Sequence, residues 1–153
     1  MSSGAWIVVT VVVLGLGFGL YRALTDGRFR GTRSLPVVEV RGAPATSLET
    51  TWSHVLASIP DAKLGEKATL LQFSSAFCAP CRATRRTLSE VAAVVPGVEH
   101  LEVDAEHHLD LVRRLDILRT PTTLVLGPAG DEITRAAGAP RKEQVLAALG
   151  SVG

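Results

Sequence analysis

The sequence predicts an α/β domain, helices layered on a central sheet, behind one apolar N-terminal helix. Three observations predict it. The stretch from Ser2 to Tyr21 carries no charged side chain. From residue 36 onward, short apolar runs alternate with segments of helical periodicity, in the order βαβαβαββα with short connections. The two cysteines of the chain, Cys78 and Cys81, fall where an apolar run ends and a helical pattern begins.

Composition narrows the function classes. The chain has 153 residues, enough for one ordinary domain and an additional segment. With 16 basic and 15 acidic residues the net charge is +1, so no broad basic surface argues for nucleic acid. Hydrophobic residues make up 46% of the chain and aromatic residues 5%, and much of that excess lies in the first 24 residues. Two cysteines exclude a disulfide-rich scaffold. Any disulfide within the chain is Cys78–Cys81, and a bridge closing so small a loop adds little stability. Its purpose is chemical.

Residues 1–4 read as a tail and 5–24 as a membrane-spanning helix. The latter stretch is 20 residues long, about 30 Å as a helix, matching the hydrocarbon core. Trp6 and Tyr21 sit near its two ends, as interfacial aromatics do. A cleaved signal peptide is the rival; it would want positive charge before the apolar run and small residues at a cleavage site, and neither is present. Gly15 and Gly19 form a small-xxx-small pair, also expected of glycines scattered in a membrane helix. Arg22, Arg28, Arg30, Arg33 and Arg41 follow the span, so the positive-inside rule puts the C-terminal domain in the cytoplasm, at a single-pass cell-membrane protein. An extracytoplasmic domain is the alternative.

Residues 25–35 are polar and aperiodic and read as a linker, with the folded domain over 36–150. Pro36 to Val40 reads as an edge strand, broken by Gly42-Ala43-Pro44. Thr46 and Glu49 have capping-box spacing, and Leu48, Trp52, Val55, Leu56 and Ile59 then share a helical face, with His54 off it in solvent. Ala68 to Ser74 reads as a buried strand, apolar except for Gln72. The helix after Cys78 turns Leu88, Val91, Ala92 and Val95 inward and ends at Pro96-Gly97. Val98 to Val103 is a second strand. Asp104 is placed to cap a helix with Leu109, Val112 and Leu115 as its stripe. Thr122 to Leu126 and Glu132 to Ala137 form a hairpin around Gly127–Asp131. A last helix opens at Gly138-Ala139-Pro140 and turns Val145, Leu146 and Leu149 inward.

The chemistry centres on Cys78-Ala79-Pro80-Cys81. A thiolate, not a thiol, attacks a disulfide, so the reactive cysteine needs an environment that favours the anion. Cys78 faces the unpaired N–H groups and positive dipole end of a helix, Pro80 fits the first turn, and Arg82 adds charge beside them. Cys78 is therefore expected as the nucleophile and Cys81, one turn in, as the resolving thiol. No acid or histidine separates them, which favours a reductant over a strong oxidant.

These residues, with Thr120-Pro121-Thr122 opening a strand, Gly130 in a hairpin and Gly138 before the last helix, resemble the thioredoxin family over roughly residues 36–150. The spacing of 43 residues from Cys78 to Pro121 is that of the family without an insertion. The resemblance implies a thioredoxin fold, a central mixed sheet flanked by helices. It implies that Pro121 is cis and faces the cysteines, that the Thr120 backbone pairs with substrate, and that Phe77, Ala79 and Pro80 line the substrate contact. It also implies a protein-disulfide oxidoreductase acting on disulfide-containing partner proteins, with electrons from a separate reductase or small thiol and no bound cofactor. The chain departs from the family's usual pattern. Phe77 and Ala79 replace tryptophan and glycine, and Gln72 occupies the place of a buried aspartate that deprotonates the resolving cysteine. Glutamine is no base, which predicts slower resolution or another acceptor. His100 falls where the family has a lysine, so a Gln72–His100 pair under the cysteines is conceivable beside a histidine simply hydrogen-bonded in place.

Rival readings are a zinc site, opposed by the absence of a second cysteine pair and by the wrong spacing of His107-His108, a redox-inactive binding module, and a thiol oxidase or isomerase. The expectation is a membrane-tethered thiol–disulfide oxidoreductase that reduces partner disulfides.

Overall fold

The computed structural model of the protein describes residues 3–25, 28–31 and 50–152. Helix α1 spans Ser3–Thr25 and strand β1 Phe29–Gly31, followed by α2 (Thr51–Ser58), β2 (Ala68–Ser74), α3 (Ala79–Val94) and β3 (Val98–Asp104). Then come α4 (Leu109–Arg114), β4 (Thr122–Leu126), β5 (Glu132–Ala137) and α5 (Lys142–Leu149). Strands β2, β4 and β5 and the start of α3 lie where the apolar runs place them. The edge strand at Pro36–Val40 and the Thr46/Glu49 cap fall outside the described residues.

The sheet has the order β1-β5-β4-β2-β3. Its four main strands are mixed: β2 is parallel to β3 and antiparallel to β4, and β4 is antiparallel to β5. Strand β2 is thus central, and all seven of its residues are buried. Its side chains alternate between two cores. Leu71 and Phe73 join Val103, Leu124 and Leu126 with Trp52, Val55 and Leu111 from α2 and α4. Leu70 joins Val125 on the opposite face with Leu88 and Val91 of α3 and Val145 and Leu149 of α5. Helices on both faces of a mixed sheet are the expected architecture. Gln72 and Ser74 share the α3 face with Leu70 and are its polar residues.

Several expectations are corrected. The linker drawn over residues 25–35 contains β1, which pairs antiparallel with β5 from Phe29↔Ala136 to Gly31↔Thr134; the β5 edge offers unpaired backbone groups, and half-buried Phe29 packs against the α3-side core. Helix α2 is capped by Thr50, whose side chain accepts from Ser53 N, and Leu56 is exposed while His54 is half-buried. Asp104 does not cap α4; its carboxylate accepts from Glu106 N at 2.8 Å. The buried stripe of α4 is Leu111 with Leu115, and Leu109 is exposed. In α5 the N-cap is Arg141, one residue beyond Pro140, and Ala148 rather than Leu146 turns inward.

A membrane span over 5–24 is not shown. A helix occupies that stretch, but among the described residues no helix is long and apolar enough to cross a membrane.

Candidate functional site

The site stands at the C-terminal end of β2. The chain leaves the sheet after Ser74, and Cys78 becomes the N-cap of α3 with extended backbone (φ −98°, ψ 98°). Pro80 lies within the first turn, where its missing N–H removes no helical bond. Cys78 and Cys81 are joined by a disulfide. The Cys81 backbone N–H also donates to Cys78 Sγ at 3.1 Å. Cys78 is half-buried, whereas Cys81, one turn inward, is 2% exposed. Access therefore distinguishes the two sulfurs. Ala79, Pro80 and Arg82 are exposed around them, and Phe77 projects fully into solvent at 99% exposure.

The second wall of the site comes from the strand beside β2. The register pairs Phe73 with Thr122, so the residues just before Thr122 stand level with the loop that leaves β2. The Thr120–Pro121 peptide bond is cis, and Pro121 is buried. Thr120 Oγ1 and Ser75 Oγ lie 3.2 Å apart, tying this loop to the one that carries the cysteines. Gly138 N donates to Pro121 O at 2.7 Å and Thr122 Oγ1 to Arg119 O at 2.7 Å, holding the turn from both sides. Ser75 escaped the sequence reading because a lone serine in a loop carries no periodic or spacing signal. Leu118, 92% exposed just ahead of this turn, escaped it because an isolated leucine reads as core.

Beneath the cysteines lies a chain of polar side chains with a readable direction. Gln72 is fully buried and its Nε2 donates to Cys81 O at 3.0 Å. A carbonyl only accepts, so this bond orients the amide and turns Gln72 Oε1 toward His100 Nε2, 3.2 Å away. His100 Nε2 therefore carries hydrogen. With a neutral ring, Nδ1 then accepts from Ser89 Oγ at 3.0 Å. Burial pushes the His100 pKa below its ordinary value, and Arg85 adds to that, against the opposing pull of Glu102. The Gln72–His100 pair conceived from the sequence is thus formed. Each donor in it points toward the cysteine turn, so neither residue presents a basic lone pair to Cys81.

Charged groups flank the turn. Glu102 is the strand partner of Gln72, accepts from Ser74 Oγ at 2.7 Å through Oε1, and meets Arg85 at 3.2 Å through Oε2. Among the described residues no group of three or more His, Cys, Asp or Glu side chains is arranged to hold a metal ion.

The arrangement has relatives. A family model described as Thioredoxin matches residues 47–151. Thioredoxin H4-1 of Oryza sativa subsp. japonica is 30% identical over 105 residues, covering 67% of this chain and 77% of that protein. Thioredoxin-2 of Pyricularia oryzae is 29% identical over 132 residues, covering 83% and 77%. Among solved structures, spinach chloroplast thioredoxin F superposes with a TM-score of 0.53 at 24% identity, covering 68% of this chain and 87% of that one. Thioredoxin NaTrxh of Nicotiana alata gives 0.53 at 21%, covering 66% and 84%. At these identities the superpositions speak for the fold, while the family match and the rice relative speak for descent. A disulfide at the start of α3, beside a cis-proline turn on the neighbouring strand, is therefore no coincidence of spacing: the chain belongs to the thioredoxin family of thiol–disulfide oxidoreductases.

Proposed function

We propose that this thioredoxin domain reduces disulfides of partner proteins at a membrane surface, with Cys78 as nucleophile and Cys81 as resolving thiol. The observation that carries the assignment is the difference between the sulfurs: Cys78 is the more accessible, caps α3 and accepts the Cys81 N–H, while Cys81 is buried. In the reduced protein that N–H and the positive end of α3 favour the Cys78 thiolate. It attacks a substrate disulfide, forming a mixed disulfide and releasing one substrate thiolate. Cys81 then attacks Cys78 Sγ, closing the Cys78–Cys81 disulfide and releasing the second. Phe77, Ala79, Pro80 and the Thr120–Pro121 turn frame the surface that a substrate segment meets. A separate reductase or small thiol resets the dithiol.

The membrane part of the proposal rests on α1. Its side chains from Trp6 to Tyr21 are all exposed, and no charge interrupts them. A helix apolar on every face is stable in lipid or a protein core, not in water. The arginines that follow it in the sequence support a cytoplasmic side for the domain.

Two measurements test the reading. Insulin-disulfide reduction is expected to vanish in Cys78→Ser, and Cys81→Ser is expected to accumulate mixed disulfides with partners; equal turnover by Cys81→Ser and the unaltered chain would refute the two-step assignment. Reporters active only inside or only outside the cytoplasm, fused at the C-terminus, test orientation. Activity of the outside reporter alone would refute the cytoplasmic placement.

A further inference from the structure

With Gln72 in place of an acid and His100 donating toward it, the Cys81 thiol has no base in the polar chain below it. Two carboxylates, Glu102 and Asp104, nevertheless line a cavity that Cys81 lines as well. A cavity of about 340 Å³ beside the α3 turn is lined by Ser74, Ser75, Cys81, Arg85 and Glu102, among others. It is polar and large enough to hold water molecules with several partners each.

We infer that Glu102, acting through water in this cavity, is the general base that deprotonates Cys81 in the resolving step. Glu102 is held for that task. Ser74 Oγ donates to Oε1 and Arg85 to Oε2, and each carboxylate oxygen retains a further lone pair. Arg82 and Arg85 from α3, His100 and Asp104 from β3 and Ser74 from β2 are the polar and charged groups around it. Asp104 lines the same cavity but is the poorer acceptor: bonds from Glu106 N and His107 hold its carboxyl below the usual range. This inference rests on the Cys78/Cys81 exchange proposed above.

The proton balance is simple. In the mixed disulfide, Cys81 Sγ–H gives its proton to the water, which passes one to Glu102. The Cys81 thiolate pair forms the bond to Cys78 Sγ, the Cys78–substrate S–S bond breaks, and the substrate leaves as a thiolate. Glu102 then returns its proton to solvent or to that thiolate.

The test uses the full reduced chain in detergent with one equivalent of 5,5′-dithiobis(2-nitrobenzoate). The first release of chromophore reports attack by Cys78, and the second reports closure by Cys81. General-base removal typically costs about 10²–10⁴-fold, so Glu102→Gln is expected to slow the second phase at about pH 7 at least tenfold. The first phase should change less than about twofold. The deficit should shrink toward about pH 9.5, where the thiol of ordinary pKa about 8.5 ionises unaided. Glu102→Asp should recover part of the rate with the pH profile of the unaltered chain. An unchanged second phase in Glu102→Gln, or equal slowing of both phases at all pH values, would overturn the role of Glu102. Release of a single chromophore by the unaltered chain would instead overturn the two-cysteine exchange itself.

Discussion

His100 is the residue on which the polar chain under the cysteines turns. Its neutral ring donates to Gln72 and accepts from Ser89, so a second ring proton would require the Ser89 hydroxyl to turn from donor to acceptor. Burial disfavours that proton first, and Arg85 nearby adds to it. The consequence for stability follows from linkage. The unfolded chain takes up the proton near pH 6.5, while the folded chain, with its pKa lowered, takes it up at lower pH. The unfolded state therefore binds more protons in that window, and stability falls as pH drops through and below about 6.5. In thermal denaturation from about pH 7.5 to 5, His100→Gln is expected to flatten the decline relative to the unaltered chain. Parallel curves for the two proteins would show that His100 does not titrate differentially. At this scale the sequence made both cysteines, Gln72 and His100 legible, because each is an unusual residue for its surroundings. Ser75, Ser89 and Glu102 were not legible: a serine on an exposed face or a glutamate on an edge strand is ordinary until a partner from another element meets it.

Among the elements, α3 and the β4–β5 hairpin carry the site. Helix α3 is positioned by Leu88 and Val91, both fully buried against β2 and α5, and by the Gln72 bond to its first turn. The hairpin holds the cis-Pro121 turn at one end and closes through Gly130 at the other. Gly130 has φ +81°, and a Cβ there would lie 2.4 Å from Trp52 Cβ. Its carbonyl also accepts from Trp52 N at 3.0 Å, so the turn is clamped onto the start of α2. Gly130→Ala is expected to cost about 2 kcal/mol or more, from the left-handed backbone and the displaced indole together. Urea unfolding with an unchanged m-value and a lowered midpoint would show it; an unmoved midpoint would mean the turn relaxes away from Trp52. The central strands were readable because a continuous apolar run, buried on both faces, needs no face assigned to it. Helix faces were less so: Leu56, Leu109 and Leu146 were assigned inward, yet α2, α4 and α5 have only 8, 6 and 8 residues. With about two turns or fewer, a shift of one residue in the start rotates the stripe by about 100°.

At the scale of the whole molecule the sheet separates two apolar cores. Leu71 belongs to the one under α2 and α4, and Leu88 to the one under α3 and α5. Each substitution to alanine is expected to destabilise by about 2–5 kcal/mol. Because the two side chains share no cluster, the double variant should lose the sum to within about 0.5 kcal/mol. A coupling above about 1 kcal/mol would show that strain passes through the sheet. That division also explains the site. The α2/α4 face of β2 is filled with Leu71 and Phe73, whereas the α3 face changes from Leu70 to Gln72 to Ser74 as the strand approaches the cysteines. The polar end of one strand face thereby becomes the floor of the active site.

Local chemistry in the chain determined by itself that a dithiol would begin a helix after a buried strand, because two cysteines with two residues between them, a proline in the first turn and an apolar run suffice to specify that junction. It determined equally that a long uncharged segment would be helical. Tertiary structure alone decided which groups surround the buried sulfur. The parallel pairing of β2 with β3 sets His100 and Glu102 beside Gln72 and Ser74, and α3 lays Cys81, Arg85 and Ser89 over them. The proposed proton transfer needs Cys81 and Glu102, 21 positions apart along the chain, to line one cavity, and that happens only once the sheet has formed.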